Sequence, residues 1–142
     1  MKKSVKIVIS WTAVLICMAV IFILSAQKGD DSQQLSDNLI FVLGLGLNSE
    51  FVRACAHFLE YSGLAVLIYN ALYQSCLRTR PFLSIIISAA YAVTDEIHQF
   101  FVEGRAAQIS DIVIDTLGAA AGIAVVTSLI IICKSIKRRK QA

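Results

Sequence analysis

The chain has 142 residues, 57% of them hydrophobic and 16% charged, with a net charge of +3. Soluble domains carry about 25% charged residues, so this balance argues against a water-soluble globule and for one small domain whose surface is covered mostly by lipid. Cys17, Cys55, Cys76 and Cys133 lie in or beside apolar runs without C-x-x-C spacing, which speaks against a zinc cluster and against a disulfide framework.

Three lysines lie between Met1 and Lys6, and an 18-residue run, Ile7 to Leu24, is broken only by Ser10, Trp11 and Thr12. That length suits a transmembrane helix. The basic start and Leu24-Ser25-Ala26 imitate a signal peptide. The run is longer than the usual ~7–15 residues of such a segment, and Leu24 is large where cleavage wants a small residue, so a retained anchor is expected. Ser25 to Glu50 is the longest polar connection. The apolar stretch Leu39 to Leu47 inside it is too short to span. An interfacial helix near 36–47, capped near Ser36, is one reading and a structureless loop at the headgroups is the other.

Phe51 to Tyr73 reads as a second span, with His57, Glu60 and Tyr61 at i, i+3 and i+4 on one helix face. A turn with Arg78 and Arg80 ends at Pro81, the only proline. Phe82 to Val102 reads as a third span. Ser84, Ser88 and Ala92 form a small-residue stripe that Asp95, His98 and Gln99 continue. After the loop from Glu103 to Ser110, Asp111 to Cys133 reads as a fourth span, and Asp111, Asp115, Gly118 and Gly122 share one stripe. Gly118-x-x-x-Gly122 is a close-packing pattern. The expected fold is therefore all-α, a polytopic transmembrane four-helix bundle with spans of about 7–24, 51–73, 82–102 and 111–133, in one domain covering 1–142.

Four spans place both termini and the turn at 74–81 on one side. All the basic residues except Lys28, Arg53 and Arg105 fall there, so the positive-inside rule puts both termini in the cytoplasm. The ten acidic residues, which played no part in that assignment, all fall in the outer loops or outer halves of the spans. Glu60 lies roughly 14 Å along its helix from Phe51, at about 1.5 Å per residue. Asp95, His98 and Asp115 reach a comparable depth. A carboxylate facing lipid is costly, so these groups are expected to turn inward, into one pocket open to the outside.

Two blocks of residues then resemble the VanZ-like family: His57-Phe58-x-Glu60-Tyr61, and Asp95-Glu96-x-His98-Gln99-x-Phe101-Val102-x-Gly104-Arg105. Asp111-x-x-x-Asp115-x-x-Gly118 and, more loosely, Ser25-x-Gln27 extend the resemblance over about residues 10 to 125. The resemblance implies a small multi-span protein of the bacterial cell envelope, and the family's namesake is linked to resistance to the glycopeptide teicoplanin. It implies no agreed biochemical activity. The chain departs from the family pattern at Glu103, where members often have proline, and at Ala54, where they often have a basic residue.

The polar groups admit several chemistries. Glu60, Asp95, Glu96 and His98 are the candidates for acid–base catalysis, since crowded carboxylates beside an imidazole suit a general acid or base near neutral pH. Arg105, Gln99, Tyr61, Ser25 and Gln27 are the candidates for holding a substrate. Arginine grips phosphate or carboxylate with two prongs, which fits a lipid-linked or peptidoglycan-related ligand. An ion pair of Arg105 with Glu103 or Asp111 is the plainer alternative. His57, Asp111 and Asp115 could hold a divalent metal, or the whole set could be a hydrogen-bonded network pinning the helices together, as in a non-catalytic accessory protein. A transporter is a further alternative, but the inner halves of the four spans lack the charges that a proton path would use. The basic C-terminal run reads as a topology signal beside anionic lipid rather than a nucleic-acid site.

Overall fold

The computed structural model describes residues 2–44, 48–76 and 78–141, and among these it contains five α-helices and no strand. They are α1 (Lys3–Ser25), α2 (Gly29–Leu43), α3 (Ser49–Cys76), α4 (Pro81–Phe100) and α5 (Ile109–Arg139). Helices are the natural state of such apolar runs, because a bilayer offers no water to satisfy backbone N–H and C=O groups. The boundaries follow local chemistry. Asn48 Oδ1 accepts a 2.7 Å hydrogen bond from Phe51 N at the start of α3. Pro81 stands in the first turn of α4, where its missing N–H costs nothing. The last turn of α5 carries Lys137, Arg138 and Arg139, which complement the helix dipole.

The helix of the long connection begins sooner than expected. It starts at Gly29, with Asp30 and Asp31 in its first turn, and ends at Gly44 in the left-handed conformation, φ 63°. Ser36 is therefore not a cap: it lies inside the helix, and its hydroxyl donates back to Ser32 O at 3.1 Å. Residues 45–47 of the anticipated 36–47 segment lie outside the described residues.

Side-chain contacts fix the directions of the four long helices. Tyr91 Oη donates to Met18 O at 2.7 Å, and His98 further along α4 stacks on Phe22 further along α1, so α1 and α4 run the same way. Asn70 Nδ2 donates to Ser10 Oγ and Trp11 Nε1 to Ser75 Oγ, each at 3.1 Å, so the end of α3 meets the start of α1 and the two run opposite ways. His57 meets Asp115 and Ser62 meets Gly118, so α3 and α5 are parallel. The order is up, down, up, down. Helices α1, α3 and α5 are each long and apolar enough to cross a membrane. Helix α4 is apolar only through Val93, and Asp95, Glu96, His98 and Gln99 lower its final turns, yet it lies along α1 from Tyr91 to Gln99.

The interior of the bundle mixes apolar with small and polar side chains, and its outside is apolar. Ser84, Ser88 and Ala92 are fully buried on α4, as the stripe anticipated. The core also holds Val14, Ile21, Tyr61, Leu64, Ile68 and Leu72, with a second cluster of Ala65, Tyr69, Ala119 and Ile123 between α3 and α5. Large side chains such as Leu15, Ile23, Phe82, Ile86, Leu117 and Ile131 point outward, as a lipid-facing belt requires. The α3–α5 contact is the most extensive, and the two glycines make it so. A Cβ on Gly118 would sit 2.3 Å from Phe58 O, and one on Gly122 would sit 2.6 Å from Ser62 O. Ser62 Oγ bridges the gap with 2.7 Å contacts to Phe58 O and Gly118 O.

Gly118→Leu should accordingly lower the thermal unfolding midpoint in mild detergent, with a loss of about 1–3 kcal/mol from overpacking. Gly63→Ala should leave the midpoint unchanged or raise it, because nothing lies within 4 Å of a Cβ there.

Candidate functional site

The site forms where α1 ends, α3 begins, α4 ends and α5 begins. Its frame is a junction between two loops. After α4 the chain turns through Gly104, whose φ of 75° favours glycine. Gly29 packs against that turn so closely that a Cβ on it would lie 2.1 Å from Gly104 O. Gly29 N donates to Glu103 O at 3.1 Å, and Lys28 Nζ reaches Glu103 Oε2 at 2.7 Å. The start of α2 is thereby fastened to the loop that carries Arg105.

Arg105 does not pair with Glu103, which is engaged by Lys28, nor with Asp111, whose carboxylate accepts from Ser110 Oγ. Among the described residues it lies within 4 Å of no carboxylate. Its Nε donates to Gln27 O at 3.0 Å and its Nη1 to Gln99 Oε1 at 3.2 Å, both neutral acceptors. Burial pulls the Arg105 guanidinium below its ordinary pKa, and the neighbouring Arg53 adds to the pull. Two cations thus share one recess without a carboxylate clamped to either.

Gln99 is the hub of the anticipated substrate-holding set. Its Nε2 donates to Asp95 Oδ2 at 3.2 Å and reaches Ser25 Oγ at 3.5 Å, while its Oε1 takes the bond from Arg105. Ser25, Gln27, Gln99 and Arg105 are brought together, Gln27 through its main-chain carbonyl. Tyr61 stands apart: it is fully buried in the bundle, its ring 6.2 Å from that of Tyr91, and its hydroxyl has no hydrogen-bond partner among the described residues.

The four acid–base candidates are dispersed. Glu96 Oε2 accepts from Gln108 N at 2.8 Å and so fastens the residue that caps α5. His98 stacks on Phe22 with ring centroids 4.2 Å apart. Asp95 is held by Gln99. Glu60 lines a separate, smaller cavity. No hydrogen bond joins any two of the four among the described residues. Of the metal candidates, His57 Nδ1 and Asp115 Oδ1 are 3.2 Å apart, but Asp111 makes its contact with Ser110. Among the described residues no three His, Cys, Asp or Glu side chains converge as a metal site. Asp95 Oδ1, Glu96 Oε1, Asp115 Oδ2 and His98 Nε2 are buried without a hydrogen-bond partner among the described residues.

The main recess is a cavity of about 390 Å³ between α3, the Gly104 loop and the start of α5. His57, Gln99, Arg105 and Asp111 line it, as do Glu50, Arg53 and Gln108. Glu50, Arg53 and Gln108 were not among the site residues expected from the sequence. A signal was there: Glu50, Arg53, His57 and Glu60 recur at steps of three, four and three, one face of a helix. The second cavity, about 120 Å³, shares Arg53, His57 and Arg105 with the first. An arginine pair at the junction of two recesses can bind an anion, and His57 and Asp115 pair an imidazole with a carboxylate nearby.

A sequence model of the family described as VanZ/LLP1 matches residues 10–132. No match is found among curated proteins or solved structures.

If Glu96 acts by fastening α5, Glu96→Gln should keep the unfolding midpoint, since an amide oxygen still accepts from Gln108 N. Glu96→Leu should lower stability by about 0.5–2 kcal/mol, the usual cost of a lost cap, in the same thermal assay.

Proposed function

The chain belongs to the VanZ/LLP1 family and is a multi-pass membrane protein, and from that premise we propose that it is an envelope protein which binds the charged head of a lipid-linked or cell-wall ligand in the 390 Å³ cavity. In this reading all four long helices cross the plasma membrane, both termini are cytoplasmic, and the cavity opens outward. The distribution of basic residues supports that orientation. Sequestering or altering access to such a ligand would lower susceptibility to teicoplanin-type glycopeptides, the role that the family resemblance suggests.

The observation that carries the proposal is Arg105, half-buried at the cavity wall, held by the neutral oxygens of Gln27 and Gln99 and next to a second arginine. An arginine with a purely structural role would ordinarily be neutralised by a carboxylate. Here the hydrogen bonds orient the guanidinium without discharging it, and one of its amino groups makes no hydrogen bond among the described residues. Binding is favoured over catalysis because Asp95, Glu96 and His98 serve different partners, Gln99, Gln108 and Phe22, while Glu60 lines the second cavity. A second reading, an accessory protein whose polar cluster is internal fastening, is favoured by the Glu96–Gln108 and His57–Asp115 contacts.

Native mass spectrometry in mild detergent separates the two. Wild type should carry a phosphorylated or carboxylated ligand. Arg105→Gln and Arg53→Gln should weaken its retention by about tenfold or more, the usual effect of losing a charge-assisted hydrogen bond, and should abolish any gain in teicoplanin tolerance at equal protein abundance. An empty wild type with less stable variants would favour the fastening reading. Orientation is checked in a background with the four cysteines replaced by alanine. Ala106→Cys should react with an impermeant thiol reagent added to intact cells, and Thr79→Cys should not.

A further inference from the structure

The second cavity distinguishes a ligand that comes from water from one that comes from the bilayer. It leaves the first at Arg53, His57 and Arg105 and runs between Leu24 of α1, Leu35 and Leu39 of α2, and Val52 and Ala56 of α3. Of the helices, α2 packs only against α3, so α1 and α2 leave a gap between them. Leu35 and Leu39, which line it, are each nearly half exposed. A polar chamber thus continues into a slot of mixed lining, in which Leu24, Leu35, Leu39 and Val52 stand among Ser32, Ser36 and Glu60. An amphiphile suits that mixture, its head meeting the polar groups and its first chain carbons the leucines.

The lining of the larger chamber also selects the head. Arg53 and Arg105 suit a phosphate. Glu50 and Asp111 line the same chamber, which disfavours a head with several negative charges and offers a counter-charge to an ammonium. Resting on the binding role proposed above, we infer that the ligand is a bilayer lipid with a zwitterionic, phosphate-bearing head, which enters between α1 and α2 with its first chain carbons lying against Leu35 and Leu39.

The test is titration of the full-length protein in a maltoside-type detergent with O-phosphoethanolamine, dihexanoyl phosphatidylethanolamine and dihexanoyl phosphatidylglycerol. The first two share a head and differ in chains; the last two share chains and differ in net charge. The expected result is that dihexanoyl phosphatidylethanolamine binds about tenfold or more tightly than O-phosphoethanolamine, because a few buried methylenes suffice for that, and more tightly than the phosphatidylglycerol. Leu35→Trp, which fills the slot from a half-exposed position, should bring the first two affinities to within about twofold of each other. Leu39→Trp, one turn on, repeats the measurement should Leu35→Trp fail to fold. Equal affinity of wild type for the first two probes, or an unchanged ratio in the tryptophan variants, would overturn the sideways entry while leaving anion binding intact. Equal or tighter binding of the phosphatidylglycerol would overturn the zwitterionic head. Binding of none of the three would remove the underlying role as well.

Discussion

A polar side chain inside a bilayer has no water to fall back on, and the architecture of this protein follows from that constraint. Hydrocarbon solvates the outer faces of the helices as well as their own interior would, so apolar attraction does little to bring them together. What remains is close packing and internal hydrogen bonding. Gly118 and Gly122 let α5 approach the backbone of α3 until Ser62 can bond across the seam. Tyr91 reaches the main chain of α1, and Asn70 and Trp11 find serines at the opposite end. The serines and alanine that face inward on α4 leave room for these contacts.

The same constraint gathers the charged groups at one end. Asp95, Glu96, Gln99 and Asp115 are all nearly inaccessible to solvent, and each has at least one contact inside the bundle. Helix α4 can carry such a polar final turn because Asp95, Glu96 and Gln99 face the other helices, while Val93, Ile97 and Phe100 face outward.

The apolar runs made α1, α3 and α5 legible from residue order alone, as did the packing stripes Ser84-Ser88-Ala92 and Gly118-Gly122, because both depend on local periodicity. The start of α2 was not legible. Gly29 is a poor helix former, and Asp30 to Gln34 carry no apolar pattern. The helix is held instead by Ser32 and Ser36, buried beneath it, and by the Gly29 contact with a loop far along the chain. At the site, Arg105, Gln99 and Ser25 could be selected as residue types, but their partners could not. Arg105 bonds the main-chain carbonyl of Gln27, and Glu96 bonds the main-chain N–H of Gln108. Backbone groups leave no trace in a sequence. Glu96, which reads as an acid, is thus committed in part to holding the next helix, and Arg53 gains its place only when the Gly104 loop closes over it.

The fastening of Gly29 and Lys28 to Glu103 and Gly104 joins segments 75 positions apart. A chain that is threaded into a membrane from its N-terminus lays down α1 and α2 long before that partner exists. Until α4 has been inserted, the first loop has nothing to dock on. The recess is therefore among the last parts of the molecule to exist during biogenesis. A nascent protein stalled before α4 would be anchored in the bilayer yet could not engage a ligand. Competence would arrive in one step, when the two loops close.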